Sequence, residues 1–355
     1  MAKVELLDSE EELGKIDRSG MLKAVGRMPE MIAEAEKLAS YVSLPAAKPY
    51  DHALVLGMGG SAIAGDIAAD LFFKKAAAPI IASRNYSLPN YVGEKTLVIA
   101  ISYSGNTEET LAAVKEADKK KAQIICVTSG GKLKELSDSR SWPLFLSPGG
   151  LQPRAALPYL LIPLLTALDR LKVASLAPDE IKESISLLTR LRDEFGPAKP
   201  ARNNPIKQLA SRTAGKLPII FGSSGTTGAA ALRFKCQLNE NSKLTALLNV
   251  FPELNHNEIV NLAALKREAH NFALFILRDE DDNERVKKRI EITKSLLVRQ
   301  LGGASEIASQ GKSPLARLLS LVLYGDYLSV YLAIASGVDP TPVEAISRLK
   351  KELAR

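Results

Sequence analysis

The stretch 97–116, LVIAISYSGNTEETLAAVKE, limits what this chain can fold into more than any other. Residues 97–101 form a short apolar run with Val and Ile, the pattern of a buried strand. Ser102-Tyr103-Ser104-Gly105-Asn106-Thr107 follows, and Glu108, Glu109, Leu111, Ala112, Val114 and Ala117 then take up a helical rhythm. A strand, a loop of small hydroxylated residues and a helix start together make an anion site. The first helical N–H groups have no intrahelical partner and carry roughly half a positive charge. Ser102, Ser104 and Thr107 add hydroxyl donors, and Gly105 lets the backbone come close to a ligand. Asn106 or Thr107 could instead act as a plain helix cap, but a cap needs one such side chain and here three hydroxyls surround a glycine. The expectation is a phosphate cradle.

The rest of the chain repeats this strand–helix alternation. Residues 53–56 read as a strand running into Gly57-Met58-Gly59-Gly60-Ser61, with a helix over 62–74. Further strands are expected at 79–82, 123–128 and 144–146, and an apolar helix at 158–171. After an amphipathic helix at 178–191 and a linker-like stretch, FGPAKPARNNP, the pattern restarts. Residues 217–221 form a strand, Gly222-Ser223-Ser224-Gly225 a loop and 226–238 a helix. A strand at 272–277, a charged helix at 283–301 and a long apolar helix at 314–336 complete it. LVLGMGGSAIAG and PIIFGSSGTTGAA are two versions of one strand, turn and small-residue helix. The fold class is α/β, with two doubly wound parallel-sheet domains in tandem. The expected division is a helical segment at 1–48, a first domain at 49–195 with the phosphate loop, and a second at 196–355 with C-terminal helices. The second copy has Arg278-Asp279-Glu280-Asp281-Asp282 where a phosphate loop would lie, so one phosphate site per chain is expected.

At 355 residues the chain has room for two ordinary domains. No apolar run reaches membrane-spanning length, the longest being broken by Arg317, Ser320, Asp326 and Ser329. The acidic N-terminus has no signal-peptide core, and two cysteines, Cys126 and Cys236, point to a reducing, cytoplasmic setting. The net charge of +7 is scattered over helices of mixed sign. Lys119-Lys120-Lys121 reads as a solvated helix end, so no nucleic-acid partner is expected. A mild basic excess instead suits steering of a phosphorylated metabolite.

Three residues outside the loop could carry chemistry. Glu240 follows the second domain's helix, His256 lies between Asn and Glu, and Arg154 precedes an apolar helix. Taken one at a time, each could equally be a solvated side chain. Gly57-Met58-Gly59-Gly60-Ser61-Ala62 also fits a dinucleotide fingerprint, but residues 79–82 lead into Ser83-Arg84 rather than to a ribose-binding acid. An NADP-dependent oxidoreductase therefore remains an alternative, as does a non-catalytic sugar-phosphate sensor. No metal is expected, because neither H-E-x-x-H nor a Cys/His cluster occurs.

GMGGSAIAGD, SYSGNTEETL, PRAALP, QLNENSK, PELNHNEI and GVDPTPVEAISRLK together resemble, in order, the bifunctional phosphoglucose/phosphomannose isomerases. SYSGNT is shared by all sugar isomerase (SIS) domains, whereas ELNHNE with NEN is specific to this family. The resemblance implies tandem SIS domains of flavodoxin-like type and interconversion of glucose 6-phosphate and mannose 6-phosphate with fructose 6-phosphate, without cofactor. It implies that Gly60, Ser61, Ser102, Ser104 and Thr107 hold the phosphate and that Glu240 moves the proton between C2 and C1. Arg154 would stabilise the enediolate, and His256 with Lys350 would open the ring. Lys351 is adjacent, and Lys350 fits the pattern better. Thr341 would lie at the C1–C2 end. The resemblance further implies a homodimer with His256 contributed across the interface.

Overall fold

The computed structural model of the chain describes residues 3–265, 267–301 and 304–353. Four helices come first: α1 (Lys3–Asp8), α2 (Glu10–Ile16), α3 (Met21–Gly26) and α4 (Met28–Ser40). Ser9 caps α2, its Oγ accepting from the Glu12 amide at 3.2 Å. The first α/β unit runs β1 (His52–Leu56), α5 (Ala62–Leu71), β2 (Ile80–Ser83), β3 (Thr96–Ser102), α6 (Glu108–Lys119), β4 (Gln123–Thr128), α7 (Gly131–Arg140), β5 (Leu144–Leu146) and α8 (Leu157–Arg170). Next come α9 (Glu180–Phe195) and α10 (Pro205–Thr213). The second unit is β6 (Leu217–Ser223), α11 (Gly228–Glu240), β7 (Leu247–Phe251), α12 (Glu258–Ala264), β8 (Phe272–Arg278), α13 (Glu284–Leu301), β9 (Ser305–Ala308), α14 (Pro314–Ala335) and α15 (Glu344–Leu353).

Both sheets are parallel throughout, with strand orders β2-β1-β3-β4-β5 and β7-β6-β8-β9. The second order reproduces the first four positions of the first, as a duplicated domain requires. β3 lies in the middle of its sheet and is buried along its whole length. Leu97, Ile99 and Ile101 face one core and Val98 and Ala100 the other, so helices cover both faces. The larger core runs on from α5 and α8 into α11 and α14, which joins the two domains through one apolar interior.

The linker-like composition at 196–205 has another cause. Asn204 caps α10 by accepting from the Ile206 and Lys207 amides, and its Nδ2 donates to the Phe195 carbonyl at 2.8 Å. The Lys207 ammonium, fully buried, donates to Asp8 Oδ1 at 3.0 Å. The prolines and asparagines therefore mark a pinned helix start, not a flexible tether.

α14 is long and apolar enough to cross a membrane, yet 89% of its most apolar window is buried inside the protein. Its polar residues are inward-facing. Asp326 accepts from Arg233 Nε at 3.0 Å and Nη2 at 2.6 Å, and from Gln237 Nε2 at 2.9 Å, all of them buried. Asp326→Ala would leave the Arg233 guanidinium buried without its counter-charge. Chemical denaturation should show a loss of about 3–5 kcal/mol. A loss no larger than that of a surface substitution would mean that Arg233 finds solvent instead.

Candidate active site

The loop after β3 is locked in place by its neighbours. Gly105 has φ +69°, and a Cβ there would lie 1.7 Å from the Gly130 carbonyl oxygen, so only glycine fits. The Leu133 amide donates to Gly105 O and the Ser129 amide to Tyr103 O, both at 2.9 Å. Thr107 stands at the N-cap position of α6, but its hydroxyl does not cap the helix. It hydrogen-bonds instead to Ser102 Oγ at 2.8 Å. Ser104 is exposed beside them and accepts from the Asn106 amide at 3.3 Å. Asn106 Oδ1 is engaged elsewhere, by the Lys132 amide. The simple-cap reading of Asn106 or Thr107 therefore fails.

Ser61 joins this loop from β1: the Tyr103 amide donates to Ser61 Oγ at 3.3 Å. Gly60 lets the turn press on the next element, since a Cβ would meet the Pro153 carbonyl oxygen at 2.9 Å. Pro153–Ala155 is one turn of 3-10 helix, and it carries Arg154 into the interior. Arg154 is only 2% exposed, so it is not the solvated arginine its sequence context allowed. Nε donates to Asn241 Oδ1 at 2.6 Å, and Nη2 donates to the carbonyls of Pro340 at 2.9 Å and Thr341 at 2.8 Å. Nη1 lies 3.5 Å from Glu240 Oε2, whose side chain keeps 28% of its surface open. Burial pulls the guanidinium pKa down, Glu240 opposes that shift and Arg233 adds to it. Gly59, Gly60, Arg84, Arg154, Cys236 and Glu240 line a cavity of about 80 Å³ that links the glycine turn to this ion pair.

The 339–341 loop is held on the opposite side. Lys243 Nζ donates to the carbonyls of Glu240, Asp339 and Pro340, and burial, with the Arg154 charge next, lowers its pKa. The Thr341 hydroxyl is buried without a partner among the described residues.

Two expected participants are not drawn in. His256 closes the 3-10 turn Glu253–His256 after β7, is exposed, and has no hydrogen-bond partner among the described residues. Lys350 and Lys351 lie on α15, whose described side chains are all exposed, and no hydrogen bond or ion pair ties either lysine to the cavity.

In the second domain the acidic run that follows β8 is countered from within the chain. Asp279, Glu280 and Asp281 converge on Arg317 in the first turn of α14. Asp282 accepts from Thr226 Oγ1 at 2.5 Å. The acidic run is thus paired within the chain, beside a cavity of about 70 Å³ that Gly225, Thr226, Asp279, Asp281 and Arg317 help to line.

Residues 202–353 match the family described as bacterial phospho-glucose isomerase C-terminal SIS domain, and residues 48–138 match the SIS domain family. A bifunctional phosphoglucose/phosphomannose isomerase of Caldicellulosiruptor bescii is 44% identical over 335 residues, covering 94% of this chain and 99% of that protein. The chain belongs to the bifunctional phosphoglucose/phosphomannose isomerase family. A D-glucosamine-6-phosphate 4-epimerase of Sulfolobus acidocaldarius is 31% identical over 309 residues, covering 87% of this chain and 91% of the epimerase. Among solved structures, a glucose-6-phosphate isomerase-like protein of Thermus thermophilus superposes with a TM-score of 0.63 at 20% identity, over 97% of this chain and 98% of that one. That likeness speaks to the fold, and the SIS-domain assignment agrees with it.

Family membership brings into focus residues that reading the sequence passed over. Asn241 stood unremarked inside the quoted QLNENSK motif, although it holds Arg154. Arg233 Nη2 donates to the Arg154 carbonyl at 2.8 Å, and Gln237 and Asp326 complete its setting. The available signal was Asp326 itself, since a carboxylate inside a long apolar helix implies a buried partner.

Proposed function

We propose that this chain is an aldose–ketose isomerase that interconverts glucose 6-phosphate and mannose 6-phosphate with fructose 6-phosphate. The observation that carries the reading is the Arg154–Glu240 pair at 3.5 Å, which lines one cavity together with the Gly59-Gly60 turn. Gly60, Ser61, Ser102, Ser104 and Thr107 hold the phosphate of an open-chain sugar. The Glu240 carboxylate takes the C2 proton and returns it at C1, passing through an enediol(ate). Arg154 balances the charge that develops on the sugar oxygens. C2 becomes planar in the intermediate, so both C2 epimers share it. The unpartnered Thr341 hydroxyl faces the C1–C2 end on this reading and accommodates either hydroxyl direction.

Ring opening needs proton transfer at O5, for which His256 and Lys350 are suited. His256 is exposed and unpartnered, and Ile346, Leu349 and Leu353 on the helix carrying Lys350 are exposed apolar side chains. Both features fit a homodimer in which a second copy covers α15 and receives His256. The working division remains 1–48, 49–195 and 196–355. Cys126 and Cys236 are free thiols, which suits a reducing cytoplasm.

The test is a panel of C6 sugar phosphates, assayed with EDTA present. Glucose 6-phosphate and mannose 6-phosphate should both yield fructose 6-phosphate, with solvent deuterium entering the product. Glucosamine 6-phosphate should not be inverted at C4. Turnover of that compound alone would replace isomerisation with epimerisation, and loss of activity on adding EDTA would remove the metal-free mechanism.

A further inference from the structure

Arg154 has one feature that its proposed role does not by itself demand: every fixed acceptor around it is neutral. Its Nε and Nη2 groups are satisfied by an amide oxygen and two backbone carbonyls. Among the described residues its one ion pair is with Glu240, on the cavity side. We infer that Asn241 is a positioning residue that orients Arg154 toward the substrate oxyanion without adding a second carboxylate to the Glu240 that already faces it. This inference rests on the role proposed above for Arg154.

Hydrogen bonding dictates which way Asn241 faces. The Ser329 hydroxyl donates to the Asp326 carbonyl at 2.7 Å, so its oxygen can only accept from Asn241. Asn241 Nδ2 therefore points to Ser329, at 2.9 Å, and Oδ1 is turned to Arg154 Nε. The Arg154 backbone is gripped independently by Arg233 of α11, itself held by Asp326 of α14, the helix that also carries Ser329. Glu240 and Asn241 are consecutive at the C-terminal end of α11, one facing the cavity and one buried. A single helix end thus places both the base and the group that aims its cation.

Aspartate at 241 is the discriminating substitution. It has the same shape and accepts the same hydrogen bond, and the Ser329 hydroxyl can turn to donate to it. If residue 241 served only as an acceptor, Asn241→Asp would work as well as the natural residue. If its neutrality matters, a buried carboxylate against Nε screens the guanidinium just where the oxyanion forms. Asn241→Asp should lower kcat by about a hundredfold, comparable to losing one oxyanion donor. KM for both aldose phosphates should stay within about threefold, because ground-state binding rests on the phosphate. Wild-type kcat in this variant overturns the inference. Should the variant fail to fold, Ser329→Ala carries the test: it removes the acceptor that tethers the Nδ2 side of the Asn241 amide and so loosens its hold on Arg154, and kcat should fall about tenfold at constant KM. Unchanged kcat there overturns the inference too. Arg154→Gln measured alongside separates the two levels. A slow Arg154→Gln with a fast Asn241→Asp removes only the role of Asn241, whereas a fast Arg154→Gln removes the role of Arg154 itself.

Discussion

Replacing Glu240 by glutamine is expected to lower isomerisation by about a hundredfold or more. The amide keeps the shape of the side chain at the end of α11 and loses the ability to take a proton. Exchange of the C2 proton with deuterated solvent should fall in parallel, since exchange and isomerisation share the same deprotonation. Binding of a sugar-phosphate inhibitor should change little, because the phosphate cradle lies on a different element. The substitution also removes the one carboxylate beside Arg154, at 3.5 Å. Arg154 keeps its three neutral acceptors, so the fold should survive. The outcome that would reassign the base is retained proton exchange in Glu240→Gln.

The second large effect is the recovery of activity from two inactive proteins. On the proposed dimer, Glu240 and His256 of one site belong to different chains. Glu240→Gln and His256→Ala homodimers should each be nearly inactive. Mixing them through a dissociation step gives heterodimers in which one site carries both lesions and the other carries none. With random pairing, about half the dimers are mixed and half of their sites are intact, so roughly a quarter of the activity of the unmodified protein should return. If both residues of a site came from one chain, every site in the mixture would carry a lesion and no activity would return. Native mass spectrometry of the mixture must show that heterodimers formed.

These experiments probe a site that was only partly legible in the sequence. The strand–loop–helix geometry after residue 97 was readable because it is local. Strand, loop and helix start follow one another within about a dozen residues, and Ser102 and Thr107 bond each other across five positions. The duplicated architecture was readable for a similar reason. Buried central strands such as β1, β3 and β4 are runs of apolar β-formers, and both domains begin with the same strand, glycine turn and helix. The strands β7 and β9 escaped notice because they are short, half-exposed and at sheet edges, where apolar character fades. The helices α7, α10 and α12 were also missed; each is ten residues or fewer.

By itself the sequence determined the α/β class, the repeat and the family. Tertiary structure alone decided which charges work together. Arg154 could have been a solvated surface side chain on all local grounds. It is buried because Asn241, 87 positions away, and the Pro340 and Thr341 carbonyls, 186 and 187 positions away, supply its acceptors. The acidic run at 279–282 could have been a solvated loop, but Arg317 closes it from α14. The physical reason is the same in both cases. A charged side chain pays a large desolvation penalty unless partners meet it, and those partners come from distant segments that only the packed fold brings within hydrogen-bond reach.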